Sequence, residues 1–325
     1  MKLGILGTGM IVKDLLHTFH EFNIEKAYIL GTNETKEETE SLKNEYHLDK
    51  AYYDYDELLA SDVDTIYCAL PNHLHYMFCK KALENHKHVI IEKPITTNPI
   101  ELKDLILLAK KNHKIILEAM NIHYLPAYLS LKEHIKDLGQ LKIVSFNYSQ
   151  YSSRYNAFKE GNILPAFDYQ KAGGALMDLN VYNLHAIIGL FGRPLNVEYY
   201  ANIEKQIDTS GIVMLDYGSF KAVSIAAKDC KAPIVNTIQG DNGYIRITSP
   251  VNQMRNYLLA DNQGKESVQE FNETDHRLIY EFKEFIRIIE TLDYDKSYEM
   301  LETSLIVSEV MKEARQKSGI VFGNE

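Results

Sequence analysis

The chain opens on an apolar stretch, Leu3-Gly4-Ile5-Leu6, that breaks at Gly7-Thr8-Gly9 into a segment whose apolar residues Ile11, Leu15, Phe19 and Phe22 recur at helical spacing. A strand, a tight glycine turn and a helix are predicted. A second apolar run ends at Leu30, and it is followed by a helix over 36–46, a short strand near 51–53 and a short helix at 56–60. An apolar run over 63–70 then leads into Pro71-Asn72-His73. A helix reaching about Asn85 feeds another such run, His88 to Ile91, which stops at Glu92-Lys93-Pro94. Asn98-Pro99-Ile100-Glu101 combines a capping side chain, a proline at the first helical position and an acid in the first turn, so a helix starts there. One more strand, near 114–120, completes the series. Strands alternating with helices over residues 1–120 predict a doubly wound parallel sheet.

From Asn121 the rhythm changes to longer alternating runs, with turns at Tyr217-Gly218-Ser219 and Asp241-Asn242-Gly243. Helices over 277–292 and 297–317 close the chain, the second stopped by Gly319. The predicted fold class is therefore α/β: an N-terminal doubly wound parallel sheet over residues 1–120, followed over 121–325 by an α+β domain with a largely antiparallel open sheet. One segment departs from amphipathic patterning, the 171–194 stretch "KAGGALMDLNVYNLHAIIGLFGRP". It is apolar nearly all round, so it is expected to be buried. Asp178, Tyr182 and His185 fall at i, i+4 and i+7 within it and are expected on one face.

Composition narrows the partners. The 325 residues are 45% apolar, enough for two hydrophobic cores. A formal charge of −10 and a sequence pI near 5.7 oppose binding to phosphate backbones or anionic membranes, so no nucleic-acid and no membrane partner is expected. No segment reaches the roughly 18 apolar residues of a membrane span. The opening stretch carries glycines where a signal peptide needs an unbroken hydrophobic centre. Cys68, Cys79 and Cys230 are widely spaced and fit a reducing cytoplasm better than a disulfide framework or a metal site.

In a strand–turn–helix unit, the first glycine permits the turn, and the second lets a pyrophosphate approach the N–H groups at the positive helix end. Gly7, Thr8, Gly9, Met10 and Ile11 are thus candidate dinucleotide ligands, although Val12 replaces the third small residue of the fingerprint. Ligands of such sheets lie beyond the carboxyl ends of the strands. That places Leu70, Pro71, Asn72, Glu92, Lys93 and Asn121 beside the cofactor, with His75 facing the nicotinamide or making a local hydrogen bond. At the end of the second strand, Thr32 and Asn33 supply donors without a carboxylate, and Lys36 is near, which favours a 2′-phosphate and hence NADP. Glu34 leaves NAD as the alternative. A lysine at a strand end most often marks an exit to solvent; at the mouth of this sheet, Lys93 has a chemical use instead.

Taken in order, "LGTG", "ALPNHLH", "HVIIEKP" and "AGGALMDLNVYNLH" resemble the glycine turn, the T-P-n-x-x-H segment, the E-K-P motif and the glycine–aspartate helix of the Gfo/Idh/MocA oxidoreductases, over essentially the whole chain. The resemblance implies NAD(P)-dependent oxidation or reduction of sugars, polyols, cyclitols or dihydrodiols. It also implies homodimers or homotetramers associating through the C-terminal sheet. Tyr182, and the segment "EAMNIHYLPA", are similar to the branch containing glucose–fructose oxidoreductase and dimeric dihydrodiol dehydrogenase. Asn121, His123, Ala172 and Asn180 depart from that branch, so its substrates do not carry over.

Hydride removal from a carbinol needs a base, and free tyrosine or lysine titrates near pKa 10, about three units too high at neutral pH. An ammonium beside a phenol favours the phenolate, and the two titrate as a unit. The catalytic set expected here is Lys93, Tyr182 and Asp178: Tyr182 exchanges the proton, Lys93 polarises the substrate oxygen, and Asp178 orients Lys93 or the substrate. The reverse assignment, with Lys93 as proton carrier, stays open. Lys93, Arg154, Tyr182 and His185 are the expected substrate contacts, with Tyr151 and Asn156 in the same polar loop as Arg154; no metal is called for. A non-catalytic NAD(P)-binding regulator, and an enzyme exchanging hydride between two sugars on a retained cofactor, are the alternatives.

Overall fold

The computed structural model describes residues 1–271 and 276–323. Contacts divide the chain into two compact units, residues 1–119 with 278–305, and residues 120–277 with 306–325.

The first unit is built from β1 (Lys2–Leu6), α1 (Met10–His17), β2 (Lys26–Leu30), α2 (Lys36–Glu45), β3 (Lys50–Tyr52), α3 (Tyr55–Ala60), β4 (Thr65–Cys68), α4 (His75–Glu84), β5 (His88–Glu92), α5 (Pro99–Lys111) and β6 (Ile116–Ala119). Its six strands pair in the order β3-β2-β1-β4-β5-β6, all parallel. The strand order reverses between β1 and β4, the point where such sheets take their ligands. Because both faces are covered, the strands carry continuous apolar runs: Leu6, Ile66, Cys68, Val89, Ile91 and Ile116 all lie in one buried cluster. The helix at Asn98 begins as its sequence predicts. The Asn98 side chain accepts from the Ile100 and Glu101 N–H groups, while Glu101 reaches back to the N–H and hydroxyl of Thr97.

α1 is shorter than its apolar spacing suggests. The Thr18 hydroxyl donates to Leu15 O at 2.7 Å and closes the helix, a 3-10 turn follows at Phe19–Glu21, and Phe22 lies beyond it.

The second unit contains α6 (Pro126–His134), β7 (Leu141–Ser149), α7 (Tyr155–Lys159), α8 (Val181–Phe191), β8 (Asn196–Glu204), β9 (Ile207–Asp216), β10 (Lys221–Ala227), β11 (Asn236–Gly240), β12 (Gly243–Ile247), β13 (Asn256–Asp261) and β14 (Glu266–Glu270). The eight strands run β14-β13-β12-β11-β7-β10-β9-β8. The pairing is antiparallel except between β7 and β10, so the sheet is mixed, and largely antiparallel as expected. Its edge strand β14, Glu-Ser-Val-Gln-Glu, is almost wholly exposed and carries no apolar alternation to announce it.

The two closing helices are α9 (Leu278–Glu290) and α10 (Tyr294–Lys317). They divide differently from the sequence boundary of 1–120 and 121–325: α9, and α10 as far as Leu305, belong to the first unit. The Phe282 ring packs on Phe22 and Tyr67, with centroids 5.7 and 5.3 Å apart, and the Ser297 hydroxyl donates to Ile116 O at 2.8 Å. Contiguity in sequence is a poor guide where a helix has an apolar face to bury and the parallel sheet offers the surface.

Candidate functional site

In the first unit the expected cofactor residues gather at the carboxyl ends of the strands. Gly7 has φ +104°, a conformation only glycine holds without strain, and its N–H donates to Leu30 O at 3.0 Å. A Cβ there would come within 3.0 Å of Ala69 O and 3.6 Å of Leu70, so the turn after β1 and the end of β4 are in close approach. At Gly9 a Cβ would meet nothing within 4 Å. That open space lies at the start of α1, whose leading N–H groups have no partners inside the helix. Met10 is exposed and Ile11 partly so. The arrangement fits a dinucleotide pyrophosphate: a glycine for the turn, a glycine for access, and a helix N-terminus.

The Thr8 hydroxyl donates to Glu38 at 2.8 Å, and the Lys13 ammonium reaches the other oxygen of the same carboxylate at 2.6 Å. Lys13 and then Thr8 hold the Glu38 carboxyl below the usual carboxylate range. Thr32 and Asn33 are exposed after β2, where Thr32 and Thr35 bond to each other in a local turn. Pro71 is exposed and Asn72 half-buried, at the start of the short helical turn that leads into α4.

Lys93 is half-buried and follows β5 directly; the Lys93–Pro94 peptide is cis. The residues around it are anchored from below. His75 is fully buried, with Nδ1 3.0 Å from Pro94 O and Nε2 2.8 Å from Leu70 O. Burial pushes its pKa down. It therefore ties the segment after β4 to the segment after β5. Glu118 on β6 accepts from the Ile95 N–H at 2.9 Å and fixes the same segment from the other side. Glu92, expected beside the cofactor, is 9% exposed and accepts a 2.6 Å bond from Tyr67.

In the second unit the glycine–aspartate segment is built on close approaches. A Cβ on Gly173 would sit 2.7 Å from Pro165 O, and one on Gly174, at φ +102°, would sit 2.1 Å from Asp208 Oδ1. Asp208 is buried and accepts from the Leu176 N–H at 2.6 Å and the Tyr199 hydroxyl at 2.7 Å; burial raises its pKa to about 6. Residues Leu176–Asn180 form a π-helical turn before α8. The expected α-helical i, i+4 spacing of Asp178 and Tyr182 is therefore altered, because the turn carries one residue more. Asn180 and Asn183 fasten it to β10, accepting from the Ser224 hydroxyl and donating to Ser224 O and Ile225 O.

The three side chains then diverge. Asp178 is 35% exposed and forms an ion pair with Lys228 at 2.8 Å. Tyr182 is 8% exposed, with its ring 6.0 Å from that of Tyr148. His185 is 1% exposed and lies 3.1 Å, nitrogen to nitrogen, from His123, so it faces inward and not along a shared open face. Asn121 is also buried, its amide donating to Asn252 O at 2.8 Å. Arg154 is half-buried beside α7, and the neighbouring Tyr151 hydroxyl donates to Asn156 at 2.7 Å. Lys228, Asp208 and Glu118 were not singled out from sequence; each is a charged residue within or directly after a strand, and that is the one signal they left. Among the described residues no group of three or more His, Cys, Asp or Glu side chains is placed to hold a metal ion.

A parallel sheet with a glycine turn open at a helix N-terminus, in one chain with a glycine-built helix bearing an acid and a phenol, defines a nicotinamide-dependent oxidoreductase acting on CH–OH or C=O groups. Known proteins agree. Residues 1–120 match the family model of Gfo/Idh/MocA, an oxidoreductase family with an NAD-binding Rossmann fold. The chain is 30% identical over 328 aligned positions to scyllo-inositol 2-dehydrogenase (NADP(+)) of Bacillus subtilis, covering 99% of this chain and 98% of the other. It is 22% identical to trans-1,2-dihydrobenzene-1,2-diol dehydrogenase of Mus musculus, at 99% and 98% coverage. Its fold matches that of KijD10, a 3-ketoreductase from Actinomadura kijaniata crystallised with NADP and TDP-benzene, at a TM-score of 0.85 with 17% identity, covering 98% and 97% of the two chains. The chain belongs to the Gfo/Idh/MocA oxidoreductase family.

Proposed function

We propose that the protein is an NADP-dependent dehydrogenase or reductase of a hydroxylated small molecule, a sugar, polyol, cyclitol or dihydrodiol, and that Lys93, Tyr182 and Asp178 manage the proton. The nicotinamide, when bound, supplies or accepts the hydride. Gly7, Thr8, Gly9 and the first turn of α1 would hold the pyrophosphate, and Thr32 and Asn33 would meet the adenosine ribose. NADP is preferred because no carboxylate follows β2 directly, and because the cyclitol dehydrogenase it resembles is NADP-dependent by name.

The observation that carries the reading is the construction around Gly173 and Gly174. Two glycines, one buried acid and two buried asparagines are committed to holding a π-helical turn in place, and such turns recur at functional sites. The side chains it presents are an acid and a phenol. In the mechanism, Tyr182 exchanges the proton of the substrate hydroxyl, Lys93 polarises its oxygen, and Asp178 orients the substrate. His75 and Glu118 hold the segment that follows Lys93, at Pro94 O and the Ile95 N–H.

The test is direct. Lys93→Met and Tyr182→Phe are each expected to lower kcat by roughly 10²–10⁴-fold, the usual reach of a positioned acid–base group, while the affinity for NADPH, read by fluorescence titration, is retained. Near-normal turnover of both variants refutes the assignment.

The outward face of the second sheet supports a homodimer or homotetramer. Tyr200, Ile212 and Met214 are exposed on the adjacent strands β8 and β9, with Ile143 exposed beyond β10 on β7, apolar positions of the kind that mark an interface. Sedimentation of the purified chain decides it. Three free thiols, Cys68, Cys79 and Cys230, suit a cytoplasmic location, and among the described residues no helix is long and apolar enough to cross a membrane.

A further inference from the structure

We infer that Lys228 is a positioning residue of this site, an internal cation that fixes the Asp178 carboxylate on the π-helical turn; the inference rests on the reading of Asp178 given above. Lys228 follows β10 and is 2% exposed. Its ammonium donates to Asp178 Oδ2 at 2.8 Å and to Ala166 O at 2.6 Å, and it lies 4.4 Å from the centroid of the Phe167 ring. The backbone on either side is tied down. Its N–H donates to Thr209 O, and its carbonyl accepts from Ser152 N–H, both at 2.8 Å. The ammonium thus has a carboxylate, a carbonyl and an aromatic face around it and a main chain that cannot swing it elsewhere.

Burying an ammonium costs several kcal/mol, and a buried ion pair often stabilises a fold less than an apolar replacement would. Stability alone is therefore a weak reason for Lys228. A second acid, Asp208, is near enough for Lys228 to oppose the rise of its pKa, but its Oδ2 already accepts from both the Leu176 N–H and the Tyr199 hydroxyl. The cation is directed at the one acid of the two that is open to solvent. A carboxylate pinned by a buried cation has its direction fixed, and that is what a group orienting a substrate hydroxyl requires. The same clamp extends to the Arg154 loop, because Ser152 is bonded to the Lys228 carbonyl.

The experiment is a double-mutant cycle on the full chain with NADP and the hydroxyl compound that the wild type turns over, scyllo-inositol being tried first. Lys228→Met is expected to lower kcat about tenfold or more, within the range of couplings between neighbouring charged groups, with KM for NADP unchanged. The acidic limb of its pH–rate profile is expected to move to higher pH, since a carboxylate without its cation protonates more readily. In the Asp178→Asn background the same change is expected to cost nothing further. Lys228→Gln, which keeps a donor for Ala166 O and Asp178 without the charge, covers the case in which the methionine variant does not fold. Equal losses in both backgrounds, or a pH profile unmoved in Lys228→Gln, overturn the inference and leave the role of Asp178 standing. Normal turnover in Asp178→Asn itself overturns the underlying reading. An activity-independent arm, the carboxyl carbon resonance of Asp178 followed through a pH titration, is expected to titrate at higher pH in Lys228→Gln; an unchanged titration counts against the pair.

Discussion

Asp208 offers the sharpest quantitative test of how the acid–phenol segment is held. Its carboxyl is 1% exposed, and burial raises its pKa from 3.8 to about 6 against the opposing effects of Tyr199, the Leu176 N–H and Lys228. The difference is about 2 pH units, each equivalent to about 1.4 kcal/mol, so ionising Asp208 costs the folded state roughly 3 kcal/mol. The sign follows from proton binding. Between pH 4 and 6 the folded chain keeps a proton that the unfolded chain has lost. The stability this group contributes is therefore fully present below about pH 4 and is lost as pH rises through 6. In Asp208→Asn that dependence disappears. Urea unfolding of wild type and variant, followed by circular dichroism at intervals from pH 4 to 7.5, is expected to show the wild type losing roughly 3 kcal/mol relative to the variant across the range. Wild-type and variant stabilities that run parallel with pH refute the reasoning, because they mean that Asp208 titrates alike in the folded and unfolded chains.

The remaining predictions concern a pH effect of opposite sign in the first unit and the close approach at Gly174 in the second. His88 is 8% exposed, its Nδ1 accepts from the Ile115 N–H at 3.0 Å, and burial lowers its pKa to about 4. The unfolded chain takes up a proton there first, so stability present above about pH 6.5 is lost as pH falls towards 4, by roughly 3 kcal/mol. His88→Gln is expected to lose less stability between pH 7 and 5 than the wild type in the same urea series, and an identical loss counts against it. Gly174→Ala would add a Cβ 2.1 Å from Asp208 Oδ1 at a φ of +102°. Backbone strain of about 1–3 kcal/mol and displacement of a buried hydrogen-bonded acid together are expected to destabilise the chain by about 2 kcal/mol or more. An unchanged melting temperature would refute the close approach of Gly174 to Asp208.

The parallel sheet was legible because its central strands are buried on both faces, and so write uninterrupted apolar runs between turn residues. The hairpins at Tyr217-Gly218-Ser219 and Asp241-Asn242-Gly243 were legible because β9 with β10, and β11 with β12, alternate on either side of a local turn. The π-helical turn at Leu176–Asn180 was not, since one extra residue in a turn changes no local composition; it is stabilised from outside, by Asp208, Ser224 and the β10 backbone. The same holds for α9. Its apolar face is plain in the sequence, but which sheet it covers depends on contacts such as Phe282 with Phe22 and Tyr67 that join the two ends of the chain.

The two strand-end lysines make the limit concrete. Lys93 closes a continuous apolar run and Lys228 the strand β10, and in each case a solvent exit is the ordinary expectation. Lys93 was singled out because it sits in a short motif at the mouth of a parallel sheet, where topology alone dictates that a side chain meets a ligand. Lys228 has no such motif. Its burial is decided by a carboxylate fifty residues away in sequence and by the ring of Phe167 in the 3-10 turn at Pro165–Phe167, neither of which lies on a neighbouring strand position. An ammonium cannot be buried without such partners. For a lysine ending an apolar strand, the informative question is therefore which acid the rest of the chain can bring to it, and for Lys228 the answer is Asp178, the acid we propose to orient the substrate.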